Sequence, residues 1–365
     1  MPLSRLAPAT SWYSFLHAPA LRPLHTLVRA AGERRRPGVA EPFLPARSPA
    51  ADRCEPAAPR AQVGRERGRG RVPTIVLGGF VPDAGEQVFL LRRFLLTAGD
   101  LYSVVYPKQG FSLDVLCAQL DDLVADLNAR GEQPVVLAVS FGAGLALEWL
   151  RRARARGAGG TLAGTVLVSP VACTADLLPP APARPSTLVG RVLKPYFDSP
   201  GEPAEPVIER SRLVFTRMFD AGAQNRDALA RLMTRSEIEQ LHGAVMGTIR
   251  GLTGRGAWER VRAFGEMRSP LDYFSPALLP LSTAPALVLY AEREDAMLEP
   301  GAPSAFAFRH ALPAYFPAGL TTDVKARPGE PPVQHASLIF HVHEFLAPLR
   351  AFYGRLRAPV LPLAA

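Results

Sequence analysis

The sequence predicts an α/β fold in which a mostly parallel sheet is covered by helices on both faces. From residue 73 onward, short apolar runs alternate with segments of helical periodicity. The runs are continuously apolar, as is typical of parallel strands that are buried on both faces. More than a hundred residues separate the run that ends at Ser169 from the one that begins at Ala286, although a crossover between parallel strands needs only about a dozen. We therefore expect a large insertion there.

Before this gap, each predicted strand is followed by a predicted helix. Leu113, Leu116 and Leu120 recur at the spacing of one helix face. Ser112 precedes them as an N-cap, and Gly131 follows them as a stop signal. The predicted strands are Val72–Leu77, Leu101–Tyr106, Val135–Val139 and Thr165–Ser169, and the predicted helices are 85–98, 113–130 and 142–155.

The gap has a helical pattern, and the alternation resumes after it. Ser236 and Glu239 have the spacing of a capping box at the start of one helix. We expect helices at Val207–Phe219, Arg226–Met233 and Ser236–Ile249, then a strand at Ala286–Tyr290, a helix near 304–312, a strand near Thr321–Ala326 and a terminal helix from Ser337 to Tyr353. The predicted organisation is a core made of 72–174 and 281–356, a helical insertion at 175–280 and a tail at 357–365.

Residues 1–71 differ from the rest of the chain in composition. Residues 1–72 carry thirteen arginines and five acids, so most of the net charge of +9 lies there. The segment lacks sustained helical or strand periodicity, and we expect it to be disordered. A solvated tail, translation from a start codon upstream of the true one, and a transit or nucleic-acid-binding segment remain open as interpretations. The near-neutral body gives no support for nucleic-acid binding.

The cysteine content and the hydropathy of the sequence indicate the cellular compartment of the protein. Cys54, Cys117 and Cys173 form no spacing pattern. An odd, sparse set argues against a disulfide framework and for a reducing compartment, so we expect a cytoplasmic protein. No apolar run approaches the roughly 18 residues that a membrane-spanning helix needs. The sequence gives no indication of the oligomeric state.

The most specific motif surrounds Ser140, which ends an apolar run and precedes a helical pattern. The small residues Ala138 and Gly142 lie two positions to either side of it. Small residues there let a strand and a helix approach closely around a strained turn with the serine at its apex. The pattern is Ala-x-Ser-x-Gly, a variant of the Gly-x-Ser-x-Gly nucleophile elbow. A five-residue motif can occur by chance, so an ordinary strand–helix junction that contains a serine remains the alternative.

Two loops that follow later strands carry residues that a serine nucleophile needs. Such a nucleophile requires a base, and the base requires an acid that orients it. Glu292, Glu294 and Asp295 follow the predicted strand that begins at Ala286. His335 lies between the last predicted strand and the terminal helix, where its side chain is free to project into a cleft.

Together these features resemble the α/β-hydrolase superfamily over residues 72–356. The resemblance implies an α/β-hydrolase fold in which residues 175–280 form a helical cap over the site. It implies Ser140 as the nucleophile, His335 as the base and Asp295 as the acid, with Glu292, Glu294 and Glu299 as competitors for the last role. No metal and no organic cofactor is expected for this chemistry.

The same resemblance implies an oxyanion hole made of two backbone N–H groups. One belongs to Phe141, the residue after the elbow serine, and the other to Phe80, which follows Gly78 and Gly79 at the end of the first strand. Glycines allow the backbone to approach a substrate closely. The chain departs from the common pattern at Gly78, where histidine is usual, and at Gln334, where glycine often precedes the base. Neither departure removes a reacting group.

The implied activity is cleavage of a small-molecule carboxylic ester through an acyl-serine intermediate. The Phe- and Met-rich insertion, which includes Phe215 and Met218, suits a lipophilic acyl group. A thioesterase or an acyltransferase would use the same triad, because only the exclusion of water separates acyl transfer from hydrolysis. A catalytically inactive binding protein of this fold is the alternative from another functional class.

Overall fold

A single sheet of eight strands runs through the part of the chain that the structure describes. This structure is a computed structural model, and it describes residues 41–43, 49–54, 58–157, 159–181, 183–222 and 232–357. The strands are β1 (Glu41–Pro42), β2 (Gln62–Glu66), β3 (Thr74–Leu77), β4 (Leu101–Val105), β5 (Val135–Val139), β6 (Gly164–Val168), β7 (Ala286–Ala291) and β8 (Gly319–Val324). Their order is β1-β2-β4-β3-β5-β6-β7-β8. The β1–β2 and β2–β4 pairings are antiparallel, and the other five neighbouring pairs are parallel.

The central strands are apolar throughout because each face of the sheet supports its own core. In β5, Val136 and Ala138 belong to the core on one face. Val135, Leu137 and Val139 belong to the core on the other. Successive side chains of a strand point to opposite faces, so both sets must be apolar when both faces are covered. The predicted α/β class with a parallel sheet is confirmed.

Helices supply the other half of each core. The helical residues Leu120 and Leu147 pack on one face, whereas Leu95 and Leu349, also in helices, pack on the other. The helices are α1 (Pro49–Arg53), α2 (Ala84–Gln87), α3 (Arg92–Ala98), α4 (Leu113–Ala129), α5 (Phe141–Ala155), α6 (Thr174–Leu177), α7 (Leu188–Asp198), α8 (Glu205–Gly222), α9 (Arg235–Gly251), α10 (Gly254–Glu266), α11 (Pro303–His310), α12 (Leu312–Tyr315) and α13 (Val342–Arg357), with a 3₁₀ turn at Pro270–Tyr273. The single helix expected at 85–98 is two short helices, α2 and α3.

The long gap between β6 and β7 is helical. The segments predicted at Val207–Phe219 and Ser236–Ile249 correspond to α8 and α9. The capping box of α9 lies two residues earlier than expected: Thr234 is the N-cap, and its N–H donates to Glu237 Oε2 at 2.7 Å. Helices α7 and α10 were not predicted. Most of the helix predicted at Arg226–Met233 lies outside the described residues.

The expected disorder of residues 1–71 is wrong for the part of this segment that the structure describes. Strand β2 pairs along its length with β4. Arg65 of β2 donates to Asp100 at 2.6 and 2.8 Å. Asp122 of α4 accepts the Ala50 and Ala51 N–H groups at the start of α1 at 3.1 and 2.9 Å. Residues 1–40 lie outside the described residues.

We expect a chain that begins at Arg71 to unfold at a lower temperature than one that begins at Glu41. The shorter chain lacks β2 and leaves the ladder groups of β4 at an open sheet edge. A fall of at least about 5 °C is expected, since about 1 kcal/mol moves the midpoint of a large domain by about 2–4 °C. Thermal denaturation of the two chains side by side measures the difference. Equal midpoints would show that residues 41–70 contribute nothing to stability.

Candidate active site

Ser140 occupies a strained turn between β5 and α5. Its backbone has φ 52° and ψ −115°, a left-handed conformation that non-glycine residues rarely adopt. The turn is possible because a neighbour is small. A Cβ on Gly142 would lie 2.3 Å from the Gly78 carbonyl oxygen. The elbow predicted from the sequence is therefore present as a backbone feature, with the serine at its apex.

The loop between β8 and α13 brings His335 to this serine. His335 Nε2 lies 2.9 Å from Ser140 Oγ, across 195 positions of the chain. Its side chain is only 6 % exposed. The following residue, Ala336, has φ 52°, which marks a sharp change of direction between this loop and the turn that leads into α13. The structure thus brings together the two residues that the sequence suggested as nucleophile and base.

The carboxylate beside His335 belongs to Glu294, and the expected position of Asp295 is wrong. Glu294 Oε2 contacts His335 Nδ1, and the Glu294 side chain is 12 % exposed. Asp295 is 68 % exposed and forms a surface ion pair with Arg293 at 2.9 Å. This pair lowers the pKa of Asp295, chiefly through the hydrogen bonds that Arg293 donates. Of the other competitors, Glu292 accepts the Ala326 N–H at 3.3 Å, and Glu299 accepts the Ser186 N–H at 2.7 Å.

The register of two distant loops decides which acid faces the base. Arg293 and Gln334 form an isolated parallel bridge, and this bridge places Glu294 beside His335. Arg293 and Asp295 pair with each other at the surface, and Glu294 faces inward. Nothing in the local sequence reveals this bridge.

Ser169 holds Glu294 in place and was not recognised from the sequence. It follows β6 directly and has φ 46°. Its Oγ donates to Glu294 Oε1 at 2.6 Å and accepts the Ala336 N–H at 3.1 Å. The Ala291 N–H also donates to Glu294 Oε1 at 2.6 Å. One hydroxyl thus connects the acid to the residue after the base. In the sequence, the only indication of a role for Ser169 was its position at the end of a predicted strand.

We expect Ser169→Ala to lower kcat by roughly tenfold and to destabilise the protein by about 1–3 kcal/mol. The change removes one donor from Glu294 and leaves the buried Ala336 N–H without its acceptor. Steady-state kinetics and chemical denaturation of the same preparation measure the two effects. Ser236→Ala, at an exposed position, serves as a control that should change neither. A Ser169→Ala protein with wild-type kcat would show that the hydroxyl has no part in orienting Glu294.

The two residues whose N–H groups are the predicted oxyanion donors line the same apolar cavity as Ser140. Phe80 and Phe141 both line that cavity, and their buried rings meet edge to face with centroids 5.8 Å apart. A Cβ on Gly79 would lie 3.7 Å from Ser140 Cβ. The loop after β3 therefore runs alongside the serine, as the sequence suggested.

An apolar cavity of about 580 Å³ opens beside Ser140. Among the described residues that line it, the ionisable ones are His335 and His341. His341 Nδ1 meets Ser337 Oγ at 2.7 Å, and its Nε2 meets the Pro331 carbonyl at 3.2 Å. The helical insertion contributes much of the apolar wall: Leu177, Val189, Leu193, Phe215, Met218, Phe219, Val245, Ile249 and Phe264. The insertion thus forms part of the wall of the cavity beside Ser140.

Membrane-spanning helices and metal-binding clusters are both absent from the described part of the chain. None of its helices is both long enough and apolar enough to cross a membrane. Its His, Cys, Asp and Glu side chains form no group of three that could hold a metal ion. The cytoplasmic location stays a prediction.

Solved structures of esterases share this architecture although their sequences differ widely. A thermophilic esterase from Thermogutta terrifontis superposes with a TM-score of 0.52 at 17% sequence identity, covering 82% of this chain and 95% of the esterase. An esterase from Exiguobacterium antarcticum gives 0.54 at 13% identity, covering 80% and 96%. A membrane phospholipase A gives 0.53 at 14% identity, covering 95% and 96%.

Sequence comparison alone finds no relative. No family model matches the chain, and no curated protein matches it. At identities this low, the structural likeness shows the fold. The parallel sheet, the elbow between β5 and α5 and the helical insertion after β6 agree with that likeness. The chain therefore has the α/β-hydrolase fold that these esterases share.

Proposed function

We propose that this chain is a serine hydrolase that cleaves a neutral carboxylic ester with a lipophilic acyl group. The observation that carries the proposal is the connected series Ser140–His335–Glu294 at the wall of an apolar cavity. A hydroxyl, an imidazole and a carboxylate in this order form the working parts of a serine nucleophile. The esterases that share the fold support the same reaction class.

In the proposed mechanism, Glu294 fixes the tautomer of His335. A carboxylate accepts hydrogen bonds, so Nδ1 of His335 carries the proton and donates a hydrogen bond to Glu294. Nε2 is then free to accept the proton of Ser140 Oγ as the oxygen attacks the ester carbonyl. The imidazolium that forms is stabilised by the Glu294 carboxylate. It returns the proton to the departing alcohol, and the acyl group stays on Ser140.

Water completes the cycle by the same route. His335 removes a proton from water, and the resulting hydroxide attacks the acyl-serine carbonyl. The C–O bond to Ser140 breaks, Ser140 recovers its proton from His335, and a carboxylic acid leaves. In both halves the carbonyl oxygen becomes an oxyanion, for which the N–H groups of Phe80 and Phe141 are the proposed donors.

The cavity favours an uncharged, apolar substrate. Its volume of about 580 Å³ lies within the usual range of ~300–1,000 Å³ for small-molecule sites. Its described lining offers no Lys or Arg to bind a phosphate or carboxylate. A charged head group inside the cavity would lose its hydration without gaining a partner. We therefore propose an ester whose acyl chain lies against Phe215, Phe219 and the other apolar side chains of the insertion.

A panel of p-nitrophenyl esters of graded acyl length, run beside acyl-CoA thioesters, tests this function. We expect kcat/KM for the esters to rise from acetate to longer chains, and acyl-CoA turnover to be much slower. The Ser140→Ala protein provides the background for each substrate. Faster turnover of acyl-CoA would identify a thioesterase on the same triad. Hydrolysis of no ester or thioester at all would contradict the proposal and favour a binding protein.

A further inference from the structure

Arg260 is a buried cation whose acceptors are backbone carbonyls. It belongs to α10 of the helical insertion and is 1 % exposed. Its Nη1 donates to the Phe80 carbonyl at 2.6 Å, and its Nη2 donates to the Pro107 carbonyl at 3.2 Å. Burial lowers the pKa of the guanidinium to about 10, so it remains charged at neutral pH. A buried charge is costly to maintain, which raises the question of what it does.

The loop that receives this hydrogen bond is held by side chains at three of its backbone groups. The Gly78 carbonyl accepts the Tyr106 hydroxyl at 3.0 Å. The Gly79 N–H donates to Gln87 Oε1 at 2.9 Å. The Phe80 carbonyl accepts Arg260. All three anchoring side chains are buried, so water does not compete for these bonds.

This pattern fixes both ends of the one peptide unit that carries the Phe80 N–H. Peptide units are planar, so each moves as a rigid plate. The plate before Gly79 is held at both its carbonyl and its N–H, and the plate after Phe80 is held by Arg260. With both neighbours held, the Cα atoms of Gly79 and Phe80 are fixed, and the plate between them keeps only a coupled rotation about the line that joins these two atoms. Without Arg260, the plate after Phe80 is free to move, the Phe80 Cα moves with it, and the Phe80 N–H loses its fixed position.

We propose that Arg260 is a positioning residue for ester cleavage: it holds the Phe80 carbonyl and thereby fixes the Phe80 N–H as an oxyanion donor. The inference rests on the proposed function. It also makes the helical insertion a part of the catalytic apparatus, because a residue of α10 sets the geometry of a loop after β3. Ring contacts support the placement, since the guanidinium carbon lies 5.9 Å from the Phe80 ring centroid and 5.4 Å from that of Tyr106.

The test compares Arg260→Met and Arg260→Lys with Arg262→Met. Arg262 lies two residues along the same helix, with an exposed side chain that pairs with Glu266 at 3.8 Å. Active sites are counted with a fluorophosphonate, so that kcat refers to folded, reactive protein. We expect kcat of Arg260→Met to fall by roughly ten- to a hundredfold with little change in KM, since losing one oxyanion donor outright costs roughly 10²–10³. Arg260→Lys should recover part of the loss, and Arg262→Met should match wild type.

A trifluoromethyl ketone provides a readout that a purely structural role would not change. It forms a hemiketal with the serine, and the former carbonyl oxygen of this adduct is an oxyanion. Its affinity for the variant should therefore fall in parallel with kcat, whereas a ground-state ester analogue should bind to the variant as well as to wild type. Unchanged kcat per active site in Arg260→Met, or a change in KM alone, would overturn the inference.

A second variant covers the case in which Arg260→Met does not fold. Tyr106→Phe keeps the ring and removes only the bond to the Gly78 carbonyl, so the same split between kcat and KM is expected. Wild-type kcat in Tyr106→Phe would count against an anchored loop. If the wild-type protein itself does not react with the fluorophosphonate, the proposed function fails instead of this inference.

Discussion

Replacing Ser140 with alanine is expected to abolish ester hydrolysis and to leave the fold intact. Alanine has the same Cβ as serine, so the strained backbone at φ 52° is no less favourable in the variant. The loss of the nucleophile removes the acyl-enzyme route altogether. In the best-studied serine hydrolase the corresponding loss is about 10⁶ in kcat. Steady-state assays with the ester that wild type hydrolyses fastest measure the effect.

Circular dichroism and a thermal melt of the same preparation show whether the fold is retained. A fall in activity together with an unchanged midpoint assigns the effect to chemistry. Retention of a tenth of the wild-type activity in pure Ser140→Ala protein would contradict the proposed mechanism at its first step.

Glu294→Gln is expected to lower kcat by about 10⁴ near neutral pH, the size of the effect when the triad acid of a well-studied serine protease becomes an amide. An amide neither balances the imidazolium charge nor enforces the tautomer in which Nε2 of His335 accepts a proton. Asp295→Asn should change kcat little, because that carboxylate is exposed and pairs with Arg293, and such surface pairs contribute little. The two adjacent positions are matched controls for each other.

Measurements of kcat and of the thermal midpoint for both variants decide whether Glu294 or Asp295 is the acid. A crippled Asp295→Asn protein beside a nearly normal Glu294→Gln protein would mean that the loop adopts the opposite register during catalysis. Two mild variants would mean that the acid lies elsewhere.

The central part of the fold was predictable because its signals are local. Val135–Val139 coincides with the predicted strand, since a strand buried on both faces must be apolar at every position. Ser140 was predictable because the helix after it approaches the loop after β3 so closely that position 142 must be glycine, which the sequence shows. His335 was predictable because it follows a strand in a loop, outside any periodic apolar pattern.

The features that sequence reasoning missed depend on contacts between distant segments. Glu294 replaces Asp295 because Arg293 pairs with Gln334, and no local pattern records that bridge. Strand β2 was not predicted because its sequence, Gln-Val-Gly-Arg-Glu, has one apolar side chain and resembles a loop in composition. Arg260 lies in a helix that was not predicted, and only the fold places its guanidinium beside the Phe80 carbonyl.

Mapping the site of a fluorophosphonate label tests the central claim most directly, since the probe reacts with a serine only when a base activates it. We expect one label per chain, located on the peptide that contains Ser140 by mass spectrometry, and no label on the Ser140→Ala or His335→Ala proteins. An unlabelled wild-type protein, or a label at another serine that persists in Ser140→Ala, would contradict the assignment of Ser140 as the nucleophile.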